Sequence, residues 1–145
     1  MQRDIRQVNF YPHPPAKVWE MLTDAALLSQ WLMKNDISPV VGHKFNFFTK
    51  PLPIFGFDGI VYCEVTEVVP MKRLSYTWKG GDGSKGTVSL DTVVTWTLTP
   101  RDNGTELVLE HIGFRGMKNL IPYMAMKSGW VKIMKGRFAT LLKER

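Results

Sequence analysis

The sequence predicts an α+β domain of two layers, an antiparallel sheet covered on one face by a single long helix. Three observations predict it. Between Gly42 and Ile112, apolar and polar residues alternate in segments joined by short turns, the pattern of antiparallel strands with one buried face. From Met117 to Lys143 the period becomes helical: Leu120, Met124, Trp130, Val131, Met134, Phe138, Leu141 and Leu142 gather in one broad arc. Ahead of the strands, residues 16–32 read as two short helices.

Taken in order, Ile5 to Phe10 form a first strand, ended by Pro12-His13-Pro14-Pro15, whose prolines suit the first turn of a helix. Ala16 to Leu22 follow as a short helix with Val18, Trp19 and Leu22 on one side. Thr23 or Asp24 caps a second helix, in which Leu27, Leu28, Trp31 and Leu32 make an apolar face. Lys44–Thr49 and Gly59–Val68 read as strands, separated by a loop that Pro51 and Pro53 impose. Arg73–Lys79 form the next, with Leu74, Tyr76 and Trp78 on one face, and the glycine-rich stretch Gly80–Gly86 reads as a long flexible turn. In Val88–Thr99 the residues Val88, Leu90, Val94, Trp96 and Leu98 share a side, and Thr95 falls on the other. Asp102-Asn103-Gly104 predicts a tight hairpin, because Asn-Gly tolerates the positive φ of a primed turn. The returning strand, Thr105–Ile112, carries Leu107, Leu109 and His111 on one face.

A chain of 145 residues with 44% apolar content fits one globular domain, 1–145. Its single cysteine, Cys63, sits in a strand and reads as a small buried hydrophobe. The first residues have no apolar stretch of the signal-peptide kind, and no run is long enough to span a bilayer, so we expect a cytoplasmic protein. The net charge of +6 is uneven: residues 117–145 hold seven basic residues and one acid, and the rest balance at twelve of each. The cations of that helix do not form one stripe, and no RNA-recognition or helix-turn-helix signature accompanies them. We therefore expect a solvated helix, with no nucleic-acid partner and no stable membrane association. His13, His43, His111 and Cys63 lack metal-ligand spacing, and the glycines of 80–86 lack the Lys-Ser/Thr of a phosphate loop. No metal and no cofactor are expected.

An ordered set of segments resembles a known family. It comprises Pro15-Ala16-Lys17-Val18-Trp19, Leu22-Thr23-Asp24 through Gln30-Trp31-Leu32, Gly59 with Glu67-Val68-Val69-Pro70, and Arg73-Leu74-Ser75-Tyr76-Thr77-Trp78. Val94-Thr95-Trp96-Thr97-Leu98, Asn103-Gly104-Thr105 with Leu107, Leu109 and His111, and Gly129-Trp130 follow. Together they resemble the AHSA-like branch (activator of heat-shock-protein-90 ATPase homologue) of the START-like, or polyketide cyclase/Bet v 1-like (SRPBCC), superfamily. The resemblance implies a helix-grip fold: a curved antiparallel sheet wrapped around a long C-terminal helix, with two short helices between the first two strands and a cavity beneath the long helix. It also implies an apolar small-molecule ligand such as a lipid, polyketide or flavonoid-like compound.

On this reading Tyr76, Trp78, Trp96, His111, Phe114, Trp130 and Met134 line the cavity and bind the ligand. No catalytic residue is assigned. A cyclase or hydrolase using the same cavity is the alternative, with His111 its only acid–base candidate. A chaperone-associated interaction protein is another. A second stripe on the final helix, Met126, Gly129, Ile133, Gly136 and Thr140, is narrow and small or apolar. Either elements of the same chain cover it or a second copy does, so the assembly expected is a monomer or a weak homodimer.

Overall fold

The computed structural model describes residues 1–145. Strand β1 (Gln2–Tyr11) runs into the prolines, and α1 (Pro15–Thr23) starts with Pro15 in its first turn, where a missing N–H costs nothing. Asp24 links α1 to α2 (Ala25–Trp31): its side chain accepts the Leu27 N–H at 3.1 Å and caps the second helix. A two-residue strand, β2 (Lys34–Asn35), was not foreseen and pairs with β3 (Lys44–Phe48). Then come β4 (Ile60–Val69), β5 (Arg73–Asp82), β6 (Thr87–Arg101) and β7 (Gly104–Arg115). The seven strands form one antiparallel sheet in the order β1-β7-β6-β5-β4-β3-β2. The expected two-layer α+β architecture is the one observed, and its arrangement is that of the helix-grip fold.

One local expectation changes. The turn is shorter than the whole stretch 80–86: β5 continues through Gly81 to Asp82, and Gly83–Gly86 make the turn, beginning with the 3-10 turn Gly83–Lys85. Gly81 sits at a bulge with φ 155°, where a side chain would run into the Thr87 carbonyl. The β6–β7 hairpin turns within the predicted Asp102-Asn103-Gly104. Asp102 and Asn103 take the two positive φ angles, 49° and 61°, while Gly104 pairs with Arg101.

The C-terminal segment departs most. It is not one helix but two, α3 (Leu120–Lys135) and α4 (Arg137–Glu144), with Gly136 between them at φ −102° and ψ −101°. A Cβ there would stand 2.8 Å from the Lys132 carbonyl, so the bend needs glycine. Tyr11 supports it from β1, donating its hydroxyl to the Met134 carbonyl at 2.8 Å. Helix α3 lies over β1 and β7, and α4 turns to pack on α1 and α2. The arc that enters the core is also rotated from the expected one. Trp130, Met134, Phe138 and Leu142 are buried as predicted, but Met124 and Val131 face solvent. Met126 and Ile133 pack against the core instead, while Thr140, at the far end of the small-residue stripe, is exposed. No helix is long and apolar enough to cross a membrane.

Candidate functional site

The seven residues singled out from the sequence converge between α3 and the concave face of the sheet. Tyr76 and Trp78 come from β5, Trp96 from β6, His111 and Phe114 from β7, Trp130 and Met134 from α3. None is more than 2% exposed. Alternation accounts for the strand residues up to His111. Phe114 needs a further device, since it lies three positions after His111, an odd step that alternation would send to the other face. Gly113 is an extra residue in β7, at φ 107°, where the register against β1 slips between Arg3 and Asp4. The Asp4 carboxylate accepts its N–H at 3.0 Å. The bulge turns Phe114 inward, with its ring 4.7 Å from that of His111 and 5.5 Å from Tyr123 on α3.

Edge-on aromatic contacts join the group. Trp130 is the hub, its ring 5.5 Å from Trp96, 5.8 Å from Trp78 and 6.1 Å from His111. Trp96 continues to Trp31 at 6.0 Å, and Trp31 to Phe138 at 4.8 Å, which ties α2 and α4 to the same interior. On the other flank Trp78 meets Phe47 at 5.1 Å, and Tyr76 meets Phe45 at 5.2 Å.

Within this apolar volume runs a directed chain of hydrogen bonds. The Trp130 indole N–H donates to His111 Nδ1 at 3.1 Å. His111 Nε2 lies 2.8 Å from Thr92 Oγ1, and the Thr92 hydroxyl donates to the Trp78 carbonyl at 2.7 Å. An indole can only donate, so Nδ1 accepts and the ring proton sits on Nε2, facing Thr92. The neutral tautomer is thereby fixed at both nitrogens. Burial lowers the His111 pKa to about 3, which keeps the ring uncharged near neutral pH. His111 thus has neither a free lone pair nor a loosely held proton, and the chain of bonds gives it a structural role.

Thr92 is the member that sequence reasoning missed. It stands between Leu90 and Val94 on the inner face of β6, and a polar residue within an otherwise apolar face was the signal. Thr95, assigned to the outer face, lies there and shares a 2.9 Å hydrogen bond with Ser75. Cys63 is buried, and burial pushes its thiol pKa well up, so it packs as a hydrophobe. A second polar pair sits deeper: the Trp96 indole donates to the Tyr76 hydroxyl at 3.0 Å. The Tyr76 hydroxyl finds no acceptor for its own proton, and burial raises its pKa.

Side chains expected to bound the cavity contact one another, Trp130 with Trp78, Trp96 and His111. Two hollows lie away from them. One, of about 460 Å³, is an open surface depression beside Ala16, Lys17, Glu20 and Arg145, where Arg145 pairs with Glu20. The other, of about 360 Å³, lies where β6 and β7 part beyond the Val93–Ile112 pair. Asn119 bridges that gap, accepting the Arg115 N–H at 2.9 Å and donating to the Ser89 carbonyl at 2.8 Å.

A sheet gripping a C-terminal helix pair over an aromatic interior defines a helix-grip domain of the Bet v 1-like class. Residues 12–143 match the family model described as activator of Hsp90 ATPase homolog 1-like protein. The chain belongs to that family. No protein of curated function is similar enough in sequence to match. Among solved structures, protein MLL2253 of Mesorhizobium loti is 38% identical with a TM-score of 0.83, and the match covers 98% of each chain. DynU16, from the dynemicin biosynthetic locus, is 24% identical with a TM-score of 0.73; the match covers 97% of this chain but 47% of that one. The Aha1 dimer of Colwellia psychrerythraea is 18% identical with a TM-score of 0.70, over 91% of this chain and 90% of that one. The last two are likenesses of fold.

Proposed function

We propose that this chain binds a small, flat, apolar molecule of the polyketide or flavonoid kind between α3 and the sheet, with Tyr76 donating a hydrogen bond to an oxygen of the ligand. The observation that carries the reading is the Tyr76 hydroxyl, wholly buried with its proton unspent. A buried donor without an acceptor is uncommon, and a ligand carbonyl would satisfy it. Space comes from α3. Of its sixteen residues only Trp130 and Met134 are buried, and none of those from Leu120 to Gly129 is. The first half of the helix is held by partly buried contacts such as Tyr123 and Met126. It is the cheapest part of the wall to displace. The fold is shared with a protein of the dynemicin biosynthetic locus.

The test is titration of tryptophan fluorescence with a panel of polyketide-like and flavonoid compounds. Tyr76→Phe should weaken the best of them by about three- to tenfold, the worth of one hydrogen bond. Unchanged affinity in that variant counts against the assigned role of Tyr76. A second reading, stimulation of an Hsp90-type ATPase through the surface, follows from the family's description and the Aha1 neighbour. An ATPase assay with and without the chain distinguishes it.

A further inference from the structure

The side of α3 that faces away from the core is apolar where a helix facing only water would carry charge. Ile121 is 65% exposed, Met124 60% and Val131 39%, and Met117, in the 3-10 turn leading into the helix, is 79% exposed. Steps of four, three and seven residues place them along one line. Lys127, Lys132 and Lys135 border that line and are exposed, and no Asp or Glu occurs from Met117 to Lys143.

A second apolar projection rises from the same end of the sheet. The 49–59 connection between β3 and β4 carries Ile54, 88% exposed, and Phe55, 63% exposed, in the 3-10 turn Pro53–Phe55. This loop is tied to the β5–β6 turn through Asp58, which accepts from the Tyr62 hydroxyl at 2.7 Å and the Gly83 N–H at 2.8 Å. The start of α3 is tied to the opening stretch of β6 through Asn119 and Ser89. Exposed Lys50 and Lys85 flank the loop.

Isolated exposed apolar residues need no explanation, but two such groups at one end, the helical one bordered by cations with no acid on the same helix, do. A second copy of the chain is a poor occupant: a two-fold contact through α3 would set its lysines against one another, and the helix carries no acid to oppose them. We propose instead that this end docks reversibly on an anionic membrane surface. Ile121, Met124, Ile54 and Phe55 enter the boundary between headgroups and acyl chains, and the lysines meet lipid phosphates. The docking does not depend on the interior holding a ligand, so the two proposals fail separately.

The test is flotation of the full chain with vesicles of phosphatidylcholine alone and with vesicles containing phosphatidylglycerol. Binding to the anionic vesicles should be about tenfold stronger or more, given a few lysines at the surface, and should fall as salt is added. The double variant Ile121→Asp/Met124→Asp should lose this binding while melting as the wild type does, since both side chains are exposed. If it melts early, Lys127→Glu/Lys132→Glu serves in its place and must lose binding too. No vesicle binding, equal binding to both vesicle types, or full binding by a well-folded variant overturns the proposal. Recovery of a bound protein partner in place of lipid would overturn it as well.

Discussion

Trp130→Ala is expected to destabilise the fold by about 3–5 kcal/mol, a large share of the roughly 5–15 kcal/mol that holds a domain of this kind together. Trp130 is 1% exposed and lies where α3 meets β5, β6 and β7. Removing the indole empties the hub of the aromatic network and leaves His111 Nδ1 without its donor. Both losses act in the same direction, through a cavity and through a buried acceptor left unpaired. Trp130→Phe separates them. It keeps most of the volume and loses the hydrogen bond, so it should cost clearly less than alanine. Urea unfolding of the three proteins measures both differences. A Trp130→Ala variant within about 1 kcal/mol of wild type would mean that the interior is not organised around this residue.

The second large effect is a dependence of stability on pH. His111 titrates near 6.5 when unfolded and near 3 in the folded protein, because burial disfavours the charged ring. Between those values the unfolded chain binds a proton that the folded chain refuses. The stability that neutral His111 secures is therefore complete above about pH 6.5 and is lost as pH falls toward 3, by roughly 4–5 kcal/mol in all. His111→Gln does not titrate. Its amide can accept from Trp130 and donate toward Thr92, so it should fold. Its unfolding free energy at pH 7 should lie below that of wild type, and the two curves should converge as pH falls. Carboxylates contribute to acid unfolding in both proteins, so the difference between the curves isolates the histidine. Parallel curves between pH 6.5 and 4 would contradict the buried, neutral ring.

Much of this interior was legible before any coordinates. Tyr76, Trp78, Trp96 and His111 follow from strict alternation along three strands, and alternation is reliable where one face of a sheet is buried. Phe114 could be grouped with them only by its chemistry, since Gly113 inserts an extra residue that period-two reading does not foresee. Thr92 was passed over because threonine suits either face of a strand, although its place between Leu90 and Val94 put it on the apolar one. The rotation of α3 was hidden for a related reason. Apolar residues occur nearly all around that helix, so Met124 and Val131 fit an inward arc as well as Met126 and Ile133 do. Gly136 signalled a cost to the helix, but the apolar spacing of Trp130, Met134 and Phe138 continues through the bend and masked it. Whether the space under α3 is open or filled depends on how the indoles tilt against one another, which no spacing encodes.

The claim that α3 and the sheet grip an apolar ligand is tested most directly by the indole N–H signals of the five tryptophans in a two-dimensional NMR spectrum. Trp96 and Trp130 stand at the proposed site, whereas Trp19 lies on α1, outside the group that lines it. Titrating the best compound of the polyketide and flavonoid panel should shift the Trp96 and Trp130 signals to saturation and leave Trp19 in place. Signals that all stay fixed across the panel, or a shift confined to Trp19, would contradict the account.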